Sequence, residues 1–325
     1  MIKEGLSYLK YVMFAYLPYS ISMSIMMALR AVGINKIQLG IGIISVLTNT
    51  TLNYLLIFGN FGFPQLGIAG AAIATAIART LEAIIYIIIL IRHKHYFKLD
   101  ISGMIYLDKR MISSMIKKAI PLSMNEILFS TAMSIIFVAY SKCDESLIPS
   151  ISVVDTVKQI MFIVFGGLST AISILIGNRL GANLIEEAKE NAYKLIGFGM
   201  MVAFATGTIF IFLSPLIASL YNVEEEIKDM IIKLIIIKSC VIPAYVYNIS
   251  IFFIIRAGGD TFTTMLVDSV SMWAGSVLIS TILSIFFDLP LIILYIVVEF
   301  CDVIKMGLCR YFFKKGNWAR NLTDI

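Results

Sequence analysis

Charged residues are scarce in this sequence of 325 residues: they make up 14% of it, while 59% is hydrophobic and the mean hydropathy is +0.91. A soluble domain carries about a quarter of its residues as charges, so this scarcity excludes a soluble globular fold. Cysteine and histidine are also few, with four and two residues, and no CxxC pair occurs. The sequence therefore indicates neither a disulfide framework nor a zinc site.

The sequence motifs of enzymes are missing as well. There is no phosphate-binding glycine loop, no nucleophile elbow and no His/Cys metal cluster. The two histidines, His93 and His95, lie in a basic segment that is not typical of a metal site. We therefore expect neither an enzyme nor a resident cofactor.

The sequence consists instead of long apolar runs. A helix needs about 20 apolar residues to cross the hydrocarbon of a bilayer. Nine such stretches lie at about 8–29, 37–58, 66–91, 119–139, 148–176, 194–220, 231–255, 263–286 and 289–309. Runs such as Ile84–Ile91 are apolar on every face, whereas a barrel strand would alternate apolar and polar residues. The sequence predicts an all-α polytopic membrane protein with nine transmembrane helices.

One long hydrophilic interval, from Arg92 to Lys118, divides these spans into three and six. It predicts three parts: a partial N-terminal lobe at 1–91, a basic linker at 92–118, and a six-helix lobe with a basic tail at 119–325. If loops alternate between sides, eighteen lysines and arginines fall on the side of the linker and six on the other. Because positive loops stay inside, the linker and the C-terminus are predicted to be cytoplasmic and the N-terminus external.

An internal repeat links the first three spans to the last three. The segments Leu29–Gly33 and Ile255–Asp260 share an Arg-Ala-x-Gly pattern 226 residues apart, and Pro18 and Pro243 lie within one residue of each other's register. Parallel duplication of six spans is a common transporter design. On that design the sequence lacks three N-terminal helices. The alternative is that so short a match arose by chance.

Glu126 is the most informative single residue in the spans. It follows Pro121 by five residues, far into the fourth span, where a carboxylate is costly unless it is protonated, paired or hydrated. We predict that Glu126, with the neighbouring amide of Asn125, exchanges a proton or Na⁺. The alternative role is a salt bridge that holds two helices together.

Further polar residues lie in the later spans. Tyr245 and Asn248 follow Pro243, whose freed carbonyl groups can coordinate a cation. We count both as cation-coupling residues. Asp155 and Lys158 stand three residues apart on the fifth span, and Lys238 enters the seventh span at a similar depth. We expect these three residues to form either an ion pair or a gate. Other charged residues in the spans are interpreted as structural: Arg79 with Glu82, and Asp268, Glu299 and Asp302.

Several stretches resemble the MATE (multidrug and toxic compound extrusion) family of exporters. Leu52–Gly59 and Gly62–Ala72 resemble its fifth and sixth helices and their connecting loop. Ile174–Ala182 resembles the end of its eighth helix and Arg256–Thr261 the turn after its tenth. Gly316-Asn317-Trp318 resembles its tail, so the similarity extends over nearly the whole chain.

The resemblance implies a MATE-like bundle of twelve helices in two six-helix lobes around a central cleft, with the nine spans as helices four to twelve. It implies export of cationic, aromatic compounds across the cell membrane in exchange for inward Na⁺ or H⁺. Glu126 matches the acidic residue of the seventh helix. The tenth-helix aspartate of some members is replaced here at about Tyr245, and the first-helix acid would lie in the missing segment.

Two alternatives to a cation-coupled antiporter stay open. One is a flippase for lipid-linked sugars from the same superfamily, which would need a cleft rich in arginine and lysine to bind phosphate. The other is a remnant that does not transport. The small-molecule substrate, the choice of coupling ion and the oligomeric state are not readable from the sequence.

Overall fold

The computed structural model describes residues 2–31, 34, 36–92 and 109–320. The chain forms two compact units, Met1–Leu107 and Asp108–Ile325, called unit 1 and unit 2 below. Within the described residues the secondary structure is helical, with no strand. His93, His95 and most of the predicted linker lie outside the described residues, as do Val32 and Gly33 of the first repeat segment and the tail from residue 321.

Unit 1 contains helices α1 (Ile2–Ala31), α2 (Lys36–Phe58) and α3 (Ile68–Arg92), and α3 packs against both of the others. Helix α2 ends where Gly59 adopts a left-handed conformation with φ +73°, which favours glycine. A Cβ atom on Gly70 would lie 2.5 Å from the carbonyl oxygen of Leu56. Gly70 therefore lets the backbones of α2 and α3 approach closely, as small residues do in membrane helices.

Polar groups inside unit 1 pair with one another. Glu82 accepts hydrogen bonds from Arg79, at 2.7 Å, and from Ser45, at 3.0 Å. The amide of Asn53 donates to Asn49, whose own amide donates to Thr75. The Arg79–Glu82 pair is the intrahelical pair that the i, i+3 spacing predicts.

Unit 2 is built around a central helix that packs mainly against three others. The helices are α4 (Lys109–Cys143), α5 (Ile148–Gly181), α6 (Ile185–Ser219), α7 (Glu225–Ala257), α8 (Thr261–Met265), α9 (Leu278–Phe286) and α10 (Leu291–Lys315). Helix α7 is the central one and packs against α5, α6 and α10. The predicted repeat pairs α7 with α1 and α10 with α3. In each unit the two paired helices contact each other, α1 with α3 and α7 with α10.

The eighth span is one helical rod that changes its winding. Two π-helical segments, Leu266–Val270 and Trp273–Val277, lie between α8 and α9. A π segment adds a residue to a turn, which shifts the following side chains around the axis, and such segments are frequent at functional sites. The indole of Trp273 donates to the carbonyl oxygen of Leu128, at 3.0 Å, and joins this rod to α4.

Eight spans of the described chain are long and apolar enough to cross a membrane, the first being Gly5–Arg30 and the last Thr261–Phe286. Helix α10 has 25 residues but carries Glu299, Asp302 and Lys305 within its apolar part. Helix α4 begins at Lys109 and not at about 119, because its polar first turns extend beyond the apolar run. The prediction of an all-helical polytopic protein is confirmed.

The C-terminal residues of unit 2 pack against the end of α7. Trp318 stacks on Phe313, and its indole donates to the Phe313 carbonyl oxygen at 3.1 Å. Any Cβ on Gly258 would overlap the backbone carbonyl of Trp318. Glycine at the end of α7 is therefore required for the tail to pack there.

Candidate functional site

A cavity of about 470 Å³ lies inside unit 2, among α4, α5, α7, α10 and the π-helical rod. Aromatic rings line one part of it, and Phe162 of α5 stacks on Tyr245 of α7 with ring centres 4.7 Å apart. Seven charged side chains also line it, four of them acidic and three basic: Asp155, Asp268, Glu299, Asp302, Lys158, Lys238 and Lys305. We call this the central cavity.

A smaller cavity of about 180 Å³ adjoins the central one. Tyr245, Asp302 and Lys305 are among the residues that line both cavities, so the two are neighbours. We call it the side cavity. The residues predicted from the sequence to couple a cation all line it: Asn125, Glu126, Tyr245 and Asn248.

Lys238 and Glu299 form a buried ion pair beside the central cavity. The ammonium of Lys238 lies 2.6 Å from Glu299, and both residues are under 10% exposed, at 5% and 6%. Lys158 lies 3.2 Å from Asp155 and 3.6 Å from Glu299. Buried charges are tolerated only when they are paired in this way. The predicted group of Asp155, Lys158 and Lys238 is thus close together, but Glu299 joins Lys158 to Lys238.

A second charged group holds the π-helical rod to its neighbours. The ammonium of Lys305 lies 2.7 Å from Asp268, and the Asn125 amide donates to the same carboxylate at 3.2 Å. The side-chain oxygen of Asn125 accepts from Ser269 at 2.7 Å. Asn125 is therefore buried and fully engaged with the rod, not with its neighbour Glu126.

Glu126 points differently from Asn125. Its side chain is exposed at the edge of the side cavity, and it makes no hydrogen bond or ion pair with any described residue. Arg256 lines the same cavity. Glu126 is thus an unpaired carboxylate at the rim, whereas Asn125, Tyr245 and Asn248 form the interior.

Asn248 and Asp302 join α7 to α10 at the inner end of the side cavity. The amide nitrogen of Asn248 donates to the backbone carbonyl oxygen of Asp302 at 2.8 Å. The Asn248 side-chain oxygen is buried and has no hydrogen-bond partner among the described residues. Among the described residues, the cation nearest to the Asp302 carboxylate is Lys238, at 4.0 Å.

Sequence reasoning set Asp268, Glu299 and Asp302 aside as structural because they lie towards span ends. The structure places all three on the cavities. A signal was present in the sequence: Glu299, Asp302 and Lys305 recur every third residue, a spacing that puts charges on one face of a helix. A charged face inside an apolar span usually meets a pathway or a partner.

A bundle of membrane-spanning helices that encloses an aromatic cavity with buried charges is the architecture of a secondary transporter. The comparisons agree with this class. The profile of the MatE family matches residues 121–281. The chain is thus similar to the MATE family of membrane transporters, whose members are not enzymes.

The relatives include an uncharacterized transporter, YisQ, of Bacillus subtilis, 26% identical over 249 residues that cover 75% of this chain and 54% of the relative. The probable multidrug resistance protein NorM of Bacillus cereus is 29% identical, over 62% of this chain and 44% of its own length. The chain thus spans about half the length of these curated relatives.

Solved structures support the fold. A crystal structure of MATE in the bent conformation superposes with a TM-score of 0.83 at 15% identity and covers 97% of this chain and 69% of that one. An outward-facing multidrug resistance MATE family transporter of the MOP superfamily gives 0.80 at 15% identity, over 90% and 64%. At such identities the likeness concerns the fold alone.

Proposed function

We propose that this protein acts in cation-coupled export: it moves drugs or toxic organic cations out of the cell in exchange for inward Na⁺ or H⁺. It does so as a multi-pass protein of the cell membrane with a cytoplasmic C-terminus. The match to the MatE family and the relatives named as multidrug resistance proteins support the proposal. The observation on which the proposal mainly rests is the central cavity. Its aromatic rings suit a flat cation, and its lining contains one more carboxylate than lysine.

Glu126 is the proposed exchange group at the rim of the side cavity. It is the one acidic residue there with no ion pair to a described residue, and its charge can be neutralised by a proton or by Na⁺. Asn125, Tyr245 and Asn248 provide the polar interior that a dehydrated cation meets next. Asp155, Lys158 and Lys238 provide ion pairs that a change of occupancy can rearrange.

The flippase alternative fits the cavity less well. Recognition of a lipid-linked pyrophosphate needs free positive charge. Each lysine of the central cavity lies within 2.6–3.2 Å of a carboxylate, which already neutralises it. An organic cation can use the one carboxylate in excess of the lysines, whereas a pyrophosphate would have to displace carboxylates from the lysines.

Transport by the 325-residue protein in proteoliposomes tests the proposal. Ethidium release would be followed by fluorescence after a Na⁺ gradient or a pH gradient is imposed, in each direction. We expect gradient-driven release from the wild type, and its loss in Glu126→Gln, which keeps size but removes charge. Glu190→Gln on α6, an exposed carboxylate paired with Lys194, is the matched control and should transport normally.

Two outcomes would favour the alternatives. Scrambling of a fluorescent lipid-linked pyrophosphate, with no ethidium movement, would indicate the flippase. Neither activity from a correctly folded protein would indicate a chain that does not transport. Normal ethidium exchange by Glu126→Gln would leave export intact and remove Glu126 from the coupling.

A further inference from the structure

The charges around the two cavities of unit 2 do not balance. The central cavity has four carboxylates and three lysines. The side cavity adds one residue of each sign, Glu126 and Arg256, so the excess of one negative charge remains. An uncompensated carboxylate inside a membrane protein is costly, and such residues mark ion, proton or substrate pathways.

The ion pairs identify which carboxylate is left over. Each lysine has one nearest acidic partner: Lys158 lies 3.2 Å from Asp155, Lys238 lies 2.6 Å from Glu299, and Lys305 lies 2.7 Å from Asp268. Among the described residues, Lys238 is the one cation within 4.0 Å of the Asp302 carboxylate, and that lysine is already bonded to Glu299. Asp302 is therefore the carboxylate of the central cavity that has no cation of its own.

An independent feature lies beside Asp302. The oxygen of the Asn248 side chain is a buried acceptor with no donor among the described residues, although Asn248 is only 3% exposed. The same amide is fixed in place because its nitrogen donates to the Asp302 carbonyl oxygen at 2.8 Å. Both residues line the side cavity, together with Tyr245. A buried acceptor left unsatisfied costs free energy unless something fills the site.

We propose that Asp302 and Asn248 form a Na⁺ site at the inner end of the side cavity. One monovalent cation supplies both the missing positive charge and the partner of the amide oxygen, and hard oxygen ligands suit Na⁺. Within the described residues no three His, Cys, Asp or Glu side chains converge on a point, so a divalent site of carboxylates is not the fit. As a coupling site it rests on the proposed function, and it lies further inside than Glu126.

The charged residues around Asp302 explain how occupancy of the site would affect the packing of the helices. Lys238 of α7 and Lys305 and Glu299 of α10 face Asp302, as does Asp268 of the π-helical rod. Loss of the ion would let Lys238 shift from Glu299 towards Asp302. The site therefore joins cation occupancy to the ion pairs that hold α5, α7 and α10 together.

Direct binding of ²²Na⁺ to the purified 325-residue protein at constant pH, in a choline background, tests the site. The wild type should bind saturably. Asp302→Asn, which removes the excess charge, and Asn248→Ala should each weaken binding about tenfold or more, the factor expected for loss of one contact to a charged group. Asn248→Asp, which adds a second carboxylate, should tighten it.

Two controls make the result specific. Asp229→Asn removes an exposed carboxylate of α7 that pairs with Lys233, and should leave binding unchanged. Glu126→Gln should retain the inner site. Absence of saturable binding to the folded wild type, or equal binding by wild type and Asp302→Asn, would overturn the proposal.

The assay separates this inference from the proposed function. Binding needs no transport, so Na⁺ binding that depends on Asp302, in a protein that moves no ethidium, would support the site and sink the export proposal. Ethidium exchange driven by a pH gradient alone, with no Na⁺ bound, would support the export proposal and overturn the Na⁺ site.

Discussion

At the scale of the residue, the protein places charges where lipid-facing helices would exclude them. Lys238 and Glu299 are both nearly buried and lie 2.6 Å apart. Taking such a pair out of water has a large desolvation cost, which close contact and further partners must offset. Lys158, 3.6 Å from Glu299, is the additional partner.

Breaking this pair should be more damaging than removing it. Lys238→Met or Glu299→Gln alone leaves a buried charge without its closest partner, and each should destabilise the protein by about 3–5 kcal/mol. The double variant leaves neither charge and should be destabilised by less than the sum of the two. Reversible unfolding in detergent, arranged as a double-mutant cycle, measures the coupling.

The matched control is the pair of Asp229 and Lys233 on the same helix. Both side chains are at least half exposed. Its removal should cost only about 0–1 kcal/mol. If Lys238→Met proved as mild as Lys233→Met, the Lys238–Glu299 contact would not be a strong interaction, and a rearrangement of Lys158 would have to compensate.

At the scale of the element, close helix crossings depend on single glycines. Helices α2 and α3 meet where Gly70 faces the backbone of Leu56. Ala74 and Ala78 follow Gly70 at intervals of four residues on α3 and are also buried. Close backbone approach raises the number of van der Waals contacts, which is what holds helices together in lipid.

Gly70→Ala should therefore destabilise unit 1. The new methyl group would lie 2.5 Å from the Leu56 carbonyl oxygen, and overpacking of this kind costs about 1–3 kcal/mol. The higher helix propensity of alanine offsets at most about 1 kcal/mol. Thermal loss of helicity, followed by circular dichroism, is the suitable measurement because both tryptophans, Trp273 and Trp318, belong to unit 2.

Gly42→Ala on α2 is the control, since nothing lies within 4 Å of a Cβ atom there. It should leave the melting temperature unchanged or raise it slightly. Equal effects of the two substitutions would show that the α2–α3 contact does not depend on glycine at position 70.

At the scale of the whole molecule, the sidedness of the loops is still a prediction from charge. The asymmetry of eighteen basic residues against six places the basic tail in the cytoplasm and the loop after the fourth span outside. Native cysteines report on this poorly, because Cys309 is fully buried and would not react from either side.

Introduced cysteines at exposed positions give a clear test. In a cysteine-free background, Lys142→Cys should react with an impermeant maleimide applied to intact cells. Lys315→Cys should react only after permeabilisation. Both positions are exposed at helix ends, so burial does not confuse the result. Labelling of both from the same side would contradict the alternation of nine spans.

The sequence alone determined the fold class of this protein. In lipid every backbone group must be bonded within the protein, which leaves helices or closed barrels. Apolar runs of more than twenty residues without apolar–polar alternation exclude barrel strands and leave helices. The spacing of Arg79 and Glu82 likewise specified a pair, since both lie on one turn of one helix. Such features are local, and local features are readable from residue order.

The tertiary structure decided which charged residues meet. Asn125 and Glu126 are neighbours in sequence, yet one is buried against Ser269 and the other is exposed, because successive residues of a helix point about 100° apart. Lys238 finds Glu299 sixty-one residues away, and no spacing rule foretells that partner. The excess charge at Asp302 becomes visible only when all the pairs are known, because it is defined by what its neighbours have already bonded.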